Sequence, residues 1–139
     1  MVQNQLSTPD LQRLVSFYRD AFGIEPYEEY SWEKGNRVVD QMIGLRDSAA
    51  DSLMLKSGGS CIEIFEFTSP SPKPADANRA ICDHGLTHFS FEVENVQAAY
   101  EELTRIGMRF HGPPISLGEL DMVVYGCDPD GNVIELQGP

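Results

Sequence analysis

Positive charge is scarce in this chain: ten Lys and Arg stand against 22 Asp and Glu over 139 residues, a net charge of −12. Phosphate contacts are made chiefly by Lys and Arg, so a nucleic acid or an anionic membrane surface is a poor partner for it. Long hydrophobic runs are also missing. The longest apolar stretches are a few residues, far below the roughly 20 that a bilayer requires. The opening MVQNQLSTPD does not read as a secretory signal. Cysteine is sparse and odd in number; Cys61, Cys82 and Cys127 fall in no CxxC spacing and read as reduced thiols of a cytoplasmic protein. Apolar residues are not lacking. They make up 41% of the chain, with 9% aromatic, and their spread along the whole length excludes disorder. A chain of this size buries roughly two-thirds of its unfolded surface and needs no disulfide or structural metal as a staple.

The pattern along the chain repeats. Asp10 can cap a helix whose Leu11, Leu14, Val15, Tyr18 and Phe22 form one stripe, with Gly23 as its stop. A strand over Tyr27 to Trp32, a short amphipathic turn or helix from Asn36 to Leu45, and two strands around Gly58-Gly59 follow. Pro70, Pro72 and Pro74 then exclude regular structure. After this loop come an alternating strand, GLTHFSFEV, a helix capped by Asn95, and a run of strands from Met108 to Gln137 with DPDGN as a turn between the last two. Gln3 lies seven positions before the cap Asp10, and His88 seven before the cap Asn95; Ile62-Glu63-Ile64 closes one half as Ile134-Glu135-Leu136 closes the other. A repeat of about 60 to 70 residues is therefore present. The expected organisation is a single domain over 1–139, with a first module at 1–70, a linker at 71–84 and a second module at 85–139.

Strand alternation assigns faces. His88, Ser90 and Glu92 oppose Phe89, Phe91 and Val93, and Glu135 opposes Ile134 and Leu136. Each half thus offers a polar residue on its first strand and a glutamate on its last. Two modules placed side by side would bring Gln3, Glu63, His88 and Glu135 into one cleft. An imidazole, two carboxylates and an amide oxygen suit a divalent metal with water in the open positions. Gln5 shares the face of Gln3 and is the alternative first donor. Taken singly, His88 reads as a hydrogen-bonded strand histidine rather than a ligand, and Glu135 as a solvent-facing glutamate; the repeat is what links them.

The segments FYRDAFG, GLTHFSFEV and DPDGNVIEL, with the paired tripeptides, resemble the vicinal oxygen chelate superfamily over roughly residues 3–137. That group contains glyoxalase I, methylmalonyl-CoA epimerase, extradiol dioxygenases, and the fosfomycin and bleomycin resistance proteins. The resemblance implies an α+β fold of paired βαβββ modules, whose curved open mixed sheet surrounds a metal cleft. It places the four ligands on Gln3, Glu63, His88 and Glu135, around an ion such as Zn, Ni, Co, Mn or Fe. The implied activity is a glyoxalase-type lyase or isomerase/epimerase, with Glu135 as first choice of general base and Glu63 as its partner. An extradiol-type dioxygenase and a non-catalytic, dimeric ligand-sequestering protein are the alternatives. Extradiol enzymes need two histidines on Fe(II), and only His88 stands among the four positions. His84 lies outside the strand and His111 in a loop. Human-type glyoxalase I carries an arginine and an asparagine four residues after its first two ligands, where this chain has Ser7 and Phe67.

Other residues have plainer readings. Glu66 falls on the face opposite Glu63 and reads as an edge or surface residue. Trp32, Tyr27 and Tyr30 suit core or dimer packing better than a pocket wall. Lys34 and Arg37 read as a solvated surface rather than an anion site. Cys127 has no base near it in sequence. A homodimer with Trp32 or the Tyr27–Tyr30 segment at its contact is expected, acting on a small molecule.

Overall fold

Asp10 begins the first helix as its sequence demands: its carboxylate accepts from the Arg13 N–H at 3.0 Å, and Gly23 closes the helix in the left-handed region at φ 63°. This helix, α1 (Leu11–Phe22), buries Leu11, Leu14, Val15 and Tyr18. In a computed structural model, which describes residues 2–118 and 121–139, it belongs to the first of two compact units. These units divide between Pro74 and Ala75. Glu119 and Leu120, inside the stretch read as a run of strands, lie outside the described residues.

The first unit adds β1 (Val2–Ser7), β2 (Glu25–Trp32), α2 (Arg37–Ile43), β3 (Ala49–Ser57) and β4 (Ser60–Ser69). Its sheet has the order β1-β4-β3-β2, with β1 parallel to β4 and the other pairs antiparallel. Leu6, Leu55, Ile62 and Ile64 are buried on the face packed against α1. The second unit contains β5 (Phe89–Glu92), α3 (Val96–Arg105), β6 (Arg109–Phe110), β7 (Ile115–Ser116), β8 (Met122–Cys127) and β9 (Val133–Gly138). Its order is β5-β9-β8-β6, with β7 also on β8 and β5 parallel to β9. Asn95 caps α3 through the Ala98 N–H at 2.8 Å. The chain is therefore α+β, with two open mixed sheets, each built on a βαβββ path. One parallel pair in each follows from the helical crossover between its first two strands.

The modules differ in their middle strands. Where the first has the eight-residue β2, the second has two strands of two residues each. Pro113 and Pro114 lie between them, and a proline has no N–H to give to a ladder. The DPDGN turn is held by the buried Asp128. Its Oδ1 accepts from the N–H groups of Asp130 and Asn132, both at 2.9 Å, and its Oδ2 accepts from Asn132 Nδ2 at 2.8 Å. Gly131 adopts φ 87°, and a Cβ there would lie 2.4 Å from the carbonyl oxygen of Ala77. This turn fixes the β8–β9 register that matters below.

One side chain is placed otherwise than expected. Glu66 is not at an edge, because β4 lies between β1 and β3. Its Oε2 accepts from the Leu11 N–H at 2.6 Å, at the positive end of α1. Glu66→Ala should lower stability by about 1–2 kcal/mol, the usual worth of a charged hydrogen bond at a helix start, while leaving metal affinity alone. Urea melts beside metal titrations check this. Trp32 takes the core place of the two expected for it: it is buried, donates from Nε1 to Ser48 Oγ at 2.9 Å, and packs with Val39 and Ala50.

Candidate functional site

In the first unit, Glu63 is the centre of a small polar network. It is 8% exposed. Gln3 and Gln5 both donate from Nε2 to its Oε2, at 3.1 and 3.2 Å, and Ser52 donates to its Oε1 at 3.3 Å. The register explains this meeting: Gln5 lies directly beside Glu63 across the parallel β1–β4 pair, and Gln3 two residues earlier shares that face. All three partners are neutral. A carboxylate out of water with no cation beside it is costly, and among the described residues no Lys or Arg pairs with Glu63.

The second unit repeats the arrangement with different donors. Ser90 lies beside Glu135 across the parallel β5–β9 pair, and His88 is two residues earlier. Gln3 and His88 are thus equivalent in register as well as in sequence. His88 Nε2 is 3.3 Å from Glu135 Oε2, and the two side chains are 27% and 16% exposed. Thr87 Oγ1 lies 3.0 Å from His88 Nδ1, holding the ring from its other nitrogen. Across the antiparallel β8–β9 pair Tyr125 faces Glu135 and donates to Oε1 at 2.9 Å. Its ring meets that of His88 edge-on at 5.1 Å. Burial first, and then the carboxylate it serves, hold the Tyr125 hydroxyl above the ordinary phenol range, so it stays a donor.

The structure therefore pairs Gln3 with Glu63 in the first unit and His88 with Glu135 in the second. Among the described residues, no three His, Cys, Asp or Glu side chains gather into a metal-holding cluster. Each pair by itself offers donor types that suit a divalent cation, a carboxylate with an amide in the first unit and a carboxylate with an imidazole nitrogen in the second, and among the described residues neither glutamate pairs with a Lys or Arg. Gln5 touches Glu63 as closely as Gln3 does, so it remains a neighbour of the site.

Sequence reasoning missed Ser52 and Tyr125. Both contacts are cross-strand, and the available signal was the alternation of β3 and β8, which puts each on the face of its glutamate. It also left Cys127 without a base. The structure puts His111 Nε2 at 3.6 Å from Cys127 Sγ, yet burial pushes the thiol up and keeps it protonated. Lys34 and Arg37 are exposed, as expected of a solvated surface.

Comparison with known proteins agrees with this fold. The chain is similar to a glyoxalase family protein from Bacillus cereus, with a TM-score of 0.87 and 21% identity over 99% of this chain and 91% of the other. It is also similar to the trypanothione-dependent glyoxalase I of Leishmania major, with a TM-score of 0.68 and 17% identity over 99% and 85% of the two chains. The fosfomycin resistance protein FosX from Listeria monocytogenes gives 0.60 and 17%, over 100% and 90%. At these identities the likeness is one of fold. No significant match was found among curated protein sequences. Residues 2–136 match the model of one family along nearly the whole length. The chain is a member of the Glyoxalase/Bleomycin resistance protein/Dioxygenase superfamily.

Proposed function

We propose that this protein is a metal-dependent lyase or isomerase that removes a proton from a carbon beside two vicinal oxygens of a small substrate. The observation that carries the reading is the matched pair of carboxylates. Glu63 and Glu135 occupy equivalent register positions, each has a polar residue two positions before its parallel partner, and among the described residues neither pairs with a Lys or Arg. Gln3, Glu63, His88 and Glu135 would hold a divalent ion. When bound, that ion supplies Lewis-acid stabilisation of the negative charge that develops on the substrate oxygens.

The protein's own residues handle the proton. Glu135 is the preferred base because it has two hydrogen-bonding partners, whereas Glu63 has three and is more deeply buried. Tyr125 orients Glu135 Oε1, and His88 lies against Oε2. A carboxylate fixed by two neighbours takes a proton without a search of its rotamers. With a single histidine among the four positions, this donor set is less suited to extradiol oxygen chemistry.

The test is deuterium uptake from D₂O into 2-hydroxy acids, 2-keto acids, acyl-CoA thioesters and thiol hemithioacetals, with and without Zn, Ni or Mn. Metal-dependent exchange is the expected result. Absence of metal binding would reject the reading, and oxygen consumption with catechols in place of exchange would favour a dioxygenase.

The assembly is proposed to be a homodimer in the cytoplasm. Tyr27 and Tyr30 are each 51% exposed on β2 and suit the contact, and all three cysteines are free thiols, as in a reducing compartment. Among the described residues no helix is long and apolar enough to cross a membrane. Light scattering should give twice the chain mass at micromolar concentration; a value near 15.5 kDa would reject the dimer.

A further inference from the structure

Phe110 fixes how the edge strand β6 is turned. Its ring meets that of Tyr100 on α3 at 4.9 Å, and it lies beside Gly126, where a Cβ would come within 2.9 Å of the ring. Phe110 therefore takes the helix side of the sheet, and alternation turns Arg109 and His111 to the other side. That side carries Glu135. Arg109 lies opposite Cys127, and the His111 N–H donates to the Tyr125 carbonyl at 2.8 Å, so the β6–β8 register runs on through His111. His111, Tyr125 and Glu135 thus form one row across three strands. The row is about 10 Å long, from two strand spacings of roughly 4.8 Å.

Both β6 side chains reach the middle of this face. His111 Nε2 is 3.6 Å from Cys127 Sγ. Burial raises the thiol most and the Arg109 charge acts against that rise, so the guanidinium stands near the same sulfur. Arg109 and His111 are exposed, and among the described residues no Asp or Glu pairs with either. A charge on an edge strand can serve merely to deter strand pairing. This one stands on the face of the proposed base, in a chain of net charge −12. Such a chain repels anions at long range, so binding one requires a local positive group. Arg109 is that group. Its planar fork fits a carboxylate or a phosphate, and the His111 ring offers a further donor beside it.

We infer that the substrate carries an anionic group beyond its vicinal oxygens, a carboxylate or a phosphate, held by Arg109 and His111 a few bonds from the carbon that Glu135 deprotonates. This rests on the proton-abstraction reading above and names the substrate class for it. Side chains from both ends of the row reach inward, which leaves the length of a small molecule between them.

The experiment measures two affinity ratios in the zinc-loaded full chain by titration calorimetry: 3-phosphoglycerate against glycerate, and malate against lactate. Within each pair the 2-hydroxy-carboxylate is the same and only the added anion differs. At least one ratio should be about tenfold or more, and which one tells phosphate from carboxylate. Arg109→Gln should bring that ratio to about threefold or less, and His111→Gln should lower it as well, with folding checked by circular dichroism. Ratios near one in the parent, or a preference unchanged in both variants, would overturn the inference. A second measurement needs no metal. The preferred anion should slow alkylation of Cys127 by iodoacetamide, read by peptide mass spectrometry, while the exposed Cys82 serves as reference. Its partner without the anion should not. If zinc does not bind, the lyase or isomerase reading fails, and protection of Cys127 by 3-phosphoglycerate or malate alone decides the anion site. If zinc binds and neither anion is preferred, the anion site fails and the metal reading stands.

Discussion

His88→Ala should lower divalent-metal affinity by more than the 10–100-fold that loss of an outer-shell partner costs, as read by zinc titration against a chromophoric chelator. Nε2 lies against Glu135 Oε2 at 3.3 Å, and Nδ1 against Thr87 Oγ1 at 3.0 Å. A hydroxyl both donates and accepts, so Thr87 can serve either ring tautomer. Nε2 is thereby able to exchange its proton for a cation while the ring stays in place. Alanine removes the one nitrogen donor of the proposed set, which stands just before β5. Thr87→Ala should weaken affinity by about tenfold, at the low end for a supporting partner. Gln3→Ala should do less than His88→Ala, because an amide oxygen is the weakest of the four donors and Gln5 already touches the same carboxylate oxygen. A metal affinity equal to that of the parent in His88→Ala would remove His88 from the site.

Glu135→Gln should retain much of the metal but lose about 10²–10⁴-fold in proton exchange, the usual worth of a positioned acid–base group. The substitution keeps shape and a donor oxygen. The Tyr125 hydroxyl that donates to Oε1 at 2.9 Å can turn to accept from the new amide. What disappears is the ability to take a proton. Glu63→Gln provides the contrast. Three neutral donors surround that carboxylate, so an amide there leaves two amide hydrogens facing other donors, and the larger cost should fall on metal affinity and folding. If Glu135→Gln exchanges deuterium as fast as the parent, the base lies elsewhere and Glu63 is the next candidate. If both variants lose exchange only in proportion to lost metal, neither glutamate is the base.

The sequence determined those features that depend on neighbours within a few positions. The caps at Asp10 and Asn95 are local hydrogen bonds to an N–H three residues ahead, and both helices begin where these residues stand. The opposite faces of Glu63 and Glu66 follow from a period of two, so that they point apart was legible before any packing was known. The pairing of Gln3 with Glu63 and of His88 with Glu135 was legible for a less common reason: the chain contains its own second example, and matching offsets in two modules stand in for contacts.

Tertiary structure decided what depends on register between distant segments. A sequence pattern gives the face of Glu66, but only the docking of α1 over β4 shows that its carboxylate closes the helix start 55 positions away. Trp32 could have covered a dimer contact or a core; Val39 from α2 and the Ser48 hydroxyl bury it. Tyr125 and Ser52 reached their glutamates across strand pairs, and a slip of one residue would turn each to the other side of its sheet. Local alternation fixes which side of a strand a residue occupies. Which residue it meets there is set by the turns and crossovers that align one strand with another.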